Sequence, residues 1–573
     1  MERVDTGSHD GLTEFLDAAF DAEVALSPQT AALLGLDHDP GRLDDRSDAG
    51  RLRHLELLRS QRAELLRRFP TETLGPEGRL NAAMFTDRVA RAEAAFTWRH
   101  HIAPGSAIEG PEESAAFLIG KHRIASVENA ENYISRVRDI ARVLTERAER
   151  LDVQRGLGIT PTALQITQLR RTLLPYDDGD GSPLLADFTT KLAALGLPAA
   201  RHAGLVADAT DAVHSEVRAG RERYQAAIDE IAAHPRADDG VWSLPDGDAY
   251  YAAALRRWNT TDLTADRIHE IGLAQVEQIH AEMREVMRVL GATGTVADFA
   301  EKVRADPQFR YADDAAGHAR YLADAERYLA ESTAISSRLF RALPKAPIEV
   351  RAVESWREAN APIAFYELPS PDGERPGFFY LNLATIAEAQ TIQLPGMVYH
   401  EGIPGHHFQI ALAQERTDLP RFRRFDIGYG AYVEGWGLYA ERLADELGLY
   451  GDPYARFGML SLQLWRACRL VLDTGLHAKR WTRARAIAYF AANSSISHAD
   501  IEKEVDRYIG LPGQATSYTI GQLRIQDLRT RAETALGPHF DLRDFHDAIL
   551  ADGALPLHLL DTRVDHWIGT TAR

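Results

Sequence analysis

The sequence predicts a mainly α protein, and three observations predict it. Long segments carry apolar residues at three- and four-residue spacing. Strand-favouring residues gather in one short region. A chain of 573 residues, 45% of them hydrophobic, can bury a large core without disulfides or structural metal. The single cysteine, Cys468, excludes an internal disulfide and any Cys₄ or Cys₂His₂ zinc site. With 65 Lys+Arg against 84 Asp+Glu, the net charge of −19 argues against nucleic acid as a partner, because that affinity rests on neutralising phosphates.

The elements follow in chain order. The start, Met1-Glu2-Arg3-Val4-Asp5, is polar, and nowhere do about 18 apolar residues run together. The expectation is a cytoplasmic protein that does not enter a membrane. Asp37–Asp48 is a polar loop rich in Asp and Gly. Residues 131–151 set Tyr133, Ile134, Val137, Ile140, Val143, Leu144 and Leu151 on one helical face, read as the core of a bundle rather than a partner-binding face. Tyr176–Pro183 contains Asp177-Asp178-Gly179-Asp180-Gly181, yet Phe188 stands where a calcium loop needs a bidentate Glu, so it reads as a solvated loop. His234–Asp248 is the best boundary, dividing residues 1–240 from residues 241–573. A helix over 264–290 follows, capped by Thr264 or Asp262 and stopped at Gly291. Ala364–Leu368 and Phe378–Asn382 flank a Pro/Asp/Gly cluster and predict a hairpin.

The chemistry starts at Tyr399-His400-Glu401-Gly402-Ile403-Pro404-Gly405-His406-His407-Phe408-Gln409. A zincin helix carries H-E-x-x-H, with two imidazoles one turn apart and a Glu beside them. Here Pro404 occupies the second histidine position, and His406 comes two residues later. On an unbroken helix His406 would sit about 120° around and roughly 9 Å along from His400, while His407 would share its face but lie about 10 Å away. Zinc needs nitrogens at about 2.0–2.1 Å, so the motif requires a local irregularity. Pro404 removes an N–H and Gly405 permits unusual dihedrals, which lets His400 and His406 meet.

A third ligand comes from elsewhere. Tyr432–Leu443 reads as an apolar helix with Glu434 on the margin of its buried stripe, where an unpaired carboxylate is expensive. Glu434 is therefore a salt-bridged acid or a metal ligand. Glu441, two turns on, is a candidate to orient a ligand from behind. Arg469, Asp473 and His477 form a polar ladder in an apolar helix, either a buried network or a site wall. Tyr518 stands in Leu511–Gly521, a Pro/Gly-marked segment opening a helix, and beside a metal it is a candidate oxyanion donor.

With these residues in hand, the chain resembles the bacterial family called domain of unknown function 885, which is similar to the gluzincin peptidases, including the carboxypeptidase Taq and thimet oligopeptidase families. The matching stretches are Arg375-Pro376-Gly377 with Phe379–Asn382, Tyr399–Gln409, Glu434-Gly435-Trp436 through Glu441, Asp473–His477, and Pro512–Gly521. Residues 1–240 are recognised only as helical. The resemblance implies a two-lobed helical body with a deep channel and a small antiparallel sheet beside the metal. It favours His406 over His407 as ligand, puts Glu434 at the glutamate-ligand position and gives Tyr518 the oxyanion role.

The expectation that results is a peptidase or related amide hydrolase holding one Zn²⁺ through His400, His406 and Glu434. Glu401 would serve as general base and Tyr518 as oxyanion donor. His407, Glu441 and Asp473 are alternative or supporting groups. Tyr380, Arg375, Arg469, His477 and Arg524 are candidates to contact the peptide, the arginines because their forks match a carboxylate, and the Phe378–Asn382 strand to lend its edge. Two other readings use the same residues. A 2-His-1-carboxylate set also serves Fe(II) oxygenases, and a decayed site would leave a helical binding protein.

Overall fold

Helical periodicity becomes helix over most of the chain, so the protein is mainly α. The computed structural model describes residues 6–36, 38–103, 115–179, 181–354, 358, 361–370 and 375–572. Asp37, Asp180 and Pro371-Asp372-Gly373, the Pro/Asp/Gly cluster between the two expected strands, lie outside the described residues, as do Met1–Asp5. Two compact units divide the chain, Met1–Tyr250 and Tyr251–Arg573.

The first unit is organised by the helix Val127–Gly156, whose Ser126 side chain accepts the Asn129 N–H at its start. Every residue of the expected stripe, from Tyr133 to Leu151, is buried there. The helices Ala199–Ala212 and Arg218–Ala232 add Leu205, Tyr224 and Ile228 to the same core. In the acidic loop, Asp178 pairs with Arg218 and Arg221, so two guanidinium groups answer its charge.

The second unit holds the candidate chemistry. Helix α1 (Ala265–Val289) is capped by Thr264, not Asp262, and Gly291 beyond its end has a positive φ. A sheet follows, then α2 (Leu394–Glu401), α3 (His406–Glu415), α4 (Gly430–Glu446), α5 (Pro453–His477), α6 (His498–Gly510) and α7 (Ser517–Leu536). Among the described residues, no helix is long and apolar enough to cross a membrane.

The expected antiparallel pair is present, but inside a larger sheet. It has three strands, β1 (Ile348–Ala352), β2 (Ala364–Glu367) and β3 (Gly377–Leu381), in the order β1-β3-β2. β2 pairs antiparallel with β3, whereas β1 pairs parallel with it, Ile348 opposite Gly377. The sheet is therefore mixed. β1 was legible as the alternation Ile348-Glu349-Val350-Arg351-Ala352, a period-two pattern. Because β3 bonds on both sides, it has no free edge to lend, and the edges belong to β1 and β2. Asn382 lies beyond the strand and caps the following turn by accepting the Ala384 N–H.

Helices α4 and α7 approach through glycines. A Cβ on Gly521 would stand 1.7 Å from the Ala431 carbonyl oxygen, and one on Gly435 would stand 2.4 Å from the Gly521 carbonyl carbon. These are backbone atoms, which cannot swing aside as a side chain can. Gly521→Ala is expected to cost at least about 1–3 kcal/mol of stability, the usual range for overpacking. Urea unfolding measures this, and an unchanged midpoint would contradict the packing.

Candidate metal centre

The irregularity required by the motif is present. Helix α2 ends at Glu401, four residues form a loop with a cis Ile403–Pro404 bond, and α3 starts at His406. No side chain fits at Gly405, where a Cβ would lie 1.9 Å from the His400 carbonyl oxygen. From α4, the buried Trp436 donates its indole N–H to the Pro404 carbonyl at 2.8 Å, holding the loop in place. The two imidazoles then meet with ring centres 4.7 Å apart.

Glu434 completes the group from α4. One of its carboxylate oxygens, Oε2, lies 3.5 Å from Nε2 of His400 and 3.5 Å from Nε2 of His406. One ligand atom from each of the three residues falls within a 4.8 Å span. The fit to a cation can be tested on these distances. Two ligand atoms about 2.1 Å from one tetrahedral ion stand about 3.4 Å apart, which matches the observed separations. At 3.5 Å the contacts are too long for good hydrogen bonds.

Both imidazoles are oriented from behind. Nδ1 of His400 bonds Oε1 of Glu441 at 2.8 Å, and Nδ1 of His406 bonds the Gln409 side-chain oxygen at 3.0 Å. With Nδ1 donating, Nε2 is the ring nitrogen left to face Glu434, and it would be the one to bind a metal after losing its proton, the arrangement metal-bound histidines use. Glu441 is fully buried and takes a second hydrogen bond, from Gln463 on α5 at 2.7 Å. On α4, Gly437 makes room: a Cβ there would lie 2.6 Å from the His400 ring.

His407 has a different place. The Tyr366 hydroxyl donates to its Nδ1 at 3.0 Å, and its Nε2 donates to the Ala346 carbonyl at 3.0 Å. Both ring nitrogens are engaged away from the cluster, so His406 is the histidine that joins His400. Burial pushes the His407 pKa down to about 4, keeping it neutral. The cluster itself is polarised the other way. Burial opposes charge on His400, but Glu434 and Glu441 prevail and raise it to about 9. Burial also works against an ionised Glu434, yet His400 and His406 hold its carboxyl well below the usual range.

Glu401 closes α2, half-buried, with no side-chain hydrogen bond to another described residue. Tyr518 stands in the first turn of α7, which runs alongside α4. Burial and then the Glu434 charge raise its phenol pKa.

Most of the remaining expected site residues are held by partners away from the cluster, while Arg469 stays beside Tyr518. Asp473 is fully buried and accepts the Tyr251 hydroxyl at 2.5 Å and the Gly513 N–H at 3.0 Å. It braces the turn before Tyr518 rather than a histidine of the cluster. Burial pushes its carboxyl up to about 7 against these hydrogen bonds. His477 donates Nε2–H to the Tyr508 carbonyl at 2.9 Å. Arg375 pairs with Glu367 at 3.0 Å and bonds the Leu368 carbonyl, clipping β2 to β3. Arg524 pairs with Asp561 and Asp527. Tyr380 is buried and stacked on Phe365, 5.0 Å between ring centres. Arg469 bonds Glu504 at 2.8 Å and the Tyr508 hydroxyl at 3.1 Å, with its guanidinium 4.5 Å from the Tyr518 ring centre.

Sequence reasoning passed over Gln409, Gln463 and Gly437. Gln409 was readable, one helical turn after His406. Gln463 carried no local signal, because its partner lies on another helix.

Fold and cluster together define a mainly α protein with a His-His-Glu group held on three helices. The chain belongs to the family described as bacterial protein of unknown function (DUF885), whose pattern matches residues 28–564. Among solved structures it is similar to "the putative lipoprotein from Colwellia psychrerythraea", at 28% identity and a TM-score of 0.90, over 98% of this chain and 99% of that one. It is also similar to "a putative lipoprotein of unknown function from Shewanella oneidensis", at 20% identity and a TM-score of 0.74, over 96% and 99%. The second of these speaks for the fold alone. No curated protein matches the sequence.

Two measurements, made on protein exposed to zinc, test whether the cluster can hold that ion. His406→Ala is expected to lose zinc on dialysis while His407→Gln keeps one equivalent, by elemental analysis; the reverse result would exchange their roles. Glu441→Gln should weaken zinc about 10–100-fold in a chelator competition. A third concerns Asp473. Its raised pKa contributes stability that is present below about pH 4 and lost as pH rises to about 7. Asp473→Asn should flatten the stability curve between those values, and identical curves would show that Asp473 does not titrate there.

Proposed function

We propose that the protein is a zinc-dependent hydrolase of peptide or related amide bonds. The observation that carries this reading is the cluster of His400, His406 and Glu434, spaced for one cation, with both histidines turned by Glu441 and Gln409. A zinc ion held by these three residues would acidify a water and polarise a substrate carbonyl.

The rest of the chemistry belongs to the chain. Glu401, directly after His400 and free of side-chain hydrogen bonds among the described residues, accepts the proton of the attacking water and returns it to the leaving amine. Tyr518 donates to the oxyanion that develops on the carbonyl. Its raised pKa keeps the phenol protonated, as a donor must be. Asp473 and Gly513 fix the turn from which Tyr518 projects. The resemblance to gluzincin peptidases supports the same roles. An iron oxygenase would have no task for an acid directly after its first histidine, so Glu401 favours hydrolysis.

A mixed peptide library, read by mass spectrometry with and without chelator, is the direct test; chelator-sensitive cleavage is expected, and no cleavage by the zinc-loaded protein would overturn the proposal. Glu401→Gln is expected to retain zinc and lose about 10²–10⁴-fold in turnover. Tyr518→Phe should lower kcat about 10²–10³-fold with little change in KM. Cytoplasmic action is part of the proposal. The lipoprotein descriptions of the two similar structures make cell fractionation its test, and recovery with membranes would overturn that location.

A further inference from the structure

Beside Tyr518 lies a group of like charges without enough counter-charge. Arg466 and Arg469 on α5 and Arg507 on α6 are the cations, and Glu504 is the only carboxylate in ion-pair range of any of them among the described residues. Glu504 bonds Arg469 at 2.8 Å and approaches Arg507 at 3.4 Å. Arg466 has no ion pair among the described residues. One of its terminal nitrogens reaches the Leu462 carbonyl of its own helix at 3.3 Å, and its Nε is buried without a partner. Arg469 is 5% exposed, yet its Nη1 is also buried without a partner.

These groups are adjacent. The Trp465 ring carries the Arg466 and Arg469 guanidinium carbons at 5.1 and 5.3 Å from its centre. Arg469 in turn lies 4.5 Å from the Tyr518 ring centre. One helical turn before Arg466, Gln463 bonds Glu441, the acid behind His400. Arg466 therefore sits on α5 between a residue that serves His400 and a residue that touches Tyr518. Guanidinium N–H groups buried without acceptors, beside unbalanced positive charge, are stabilised by an anion.

We infer that Arg466 and Arg469 form a carboxylate subsite next to Tyr518, so that the preferred substrates are peptides carrying a free carboxylate close to the bond that is cut. The inference rests on the proposed hydrolase reading and deepens it. A planar carboxylate suits a guanidinium fork, and Arg469, already fixed by Glu504 and Tyr508, presents its remaining N–H without reorganisation. The carboxylate is either the chain terminus or an Asp or Glu side chain.

The test pairs four forms of one peptide, Glu or Gln at the last position with a free or amidated terminus, against zinc-loaded wild type, Arg466→Gln and Arg466→Ala. Wild type is expected to favour the acid forms by at least tenfold in kcat/KM. Both variants should remove that preference, raising KM for the acids at least tenfold more than for the neutral form. The terminal and side-chain arms identify which carboxylate is bound. Equal cleavage of all four forms by wild type would overturn the subsite and leave the hydrolase reading standing. If wild type cleaves none of them, the hydrolase reading fails, and calorimetric binding of the same peptides decides the subsite alone. Binding of the acids lost in both variants would support it, and equal binding of acid and neutral forms would overturn it. Circular dichroism melts of the variants matching wild type exclude misfolding.

Discussion

The hydrogen bond between His400 and Glu441 is the interaction on which the site depends. A carboxylate with no solvent exposure is tolerable only when its oxygens are answered by donors. Glu441 receives the His400 ring on one oxygen and the Gln463 amide on the other. Gln463 in turn accepts from Gln522 at 2.7 Å. This line of four side chains runs from α2 through α4 and α5 to α7, so one imidazole is held by three other helices. Glu441 accepts from Nδ1 and so leaves Nε2 as the ring nitrogen that faces Glu434.

The broken helix serves the same end. A continuous helix through residues 400–406 would turn the two imidazoles away from each other, and the loop at Pro404 removes that obstacle. Trp436, two residues after Glu434, reaches back to the Pro404 carbonyl. The helix that contributes the carboxylate thus also shapes the loop that delivers the second histidine. His406 and His407, adjacent in sequence, diverge at the start of α3, one toward the cluster and one toward β2. Consecutive helical residues point about 100° apart, and that angle makes one histidine a member of the cluster and the other a brace for the sheet.

Charge is distributed unevenly through the molecule. The chain carries −19 overall, yet on the Arg469 side of Tyr518 two arginines, Arg469 and Arg507, share the one acid Glu504, and Arg466 has no ion pair among the described residues. Net charge describes long-range attraction and solubility. What a bound group meets is set within one Debye length, about 8–10 Å, so nearby arginines weigh more on it than distant surface acids. An acidic protein is therefore compatible with an acidic ligand.

Much of the architecture was legible in the residues. The apolar stripes over 131–151 and 264–290 became buried helices because a 3.6-residue repeat leaves a chain few other ways to cover its apolar side. The β1 strand was not expected, although the alternation of Ile348, Val350 and Ala352 carried a signal for it, and its parallel pairing to β3 had no signal at all, since a strand's own pattern does not say which neighbour it joins. Among polar residues, His400, Glu401, His406, Glu434 and Tyr518 could be picked out by type and by the oddity of Pro404 within a zincin-like run. Arg375, Arg524, His477 and Tyr380 looked equally able to face a substrate. Each is taken by a partner distant in sequence or across the sheet, such as Glu367, Asp561, the Tyr508 carbonyl and Phe365. By itself, then, the sequence determined the helical class, the need for a break if the two histidines are to meet, and a candidate set of imidazoles and carboxylate for a cation. Only the tertiary structure decided which histidine joins the cluster and which arginines keep free N–H groups. Periodicity reports which face of a segment is buried, while the partner of a buried polar group is chosen by whatever another segment brings against it.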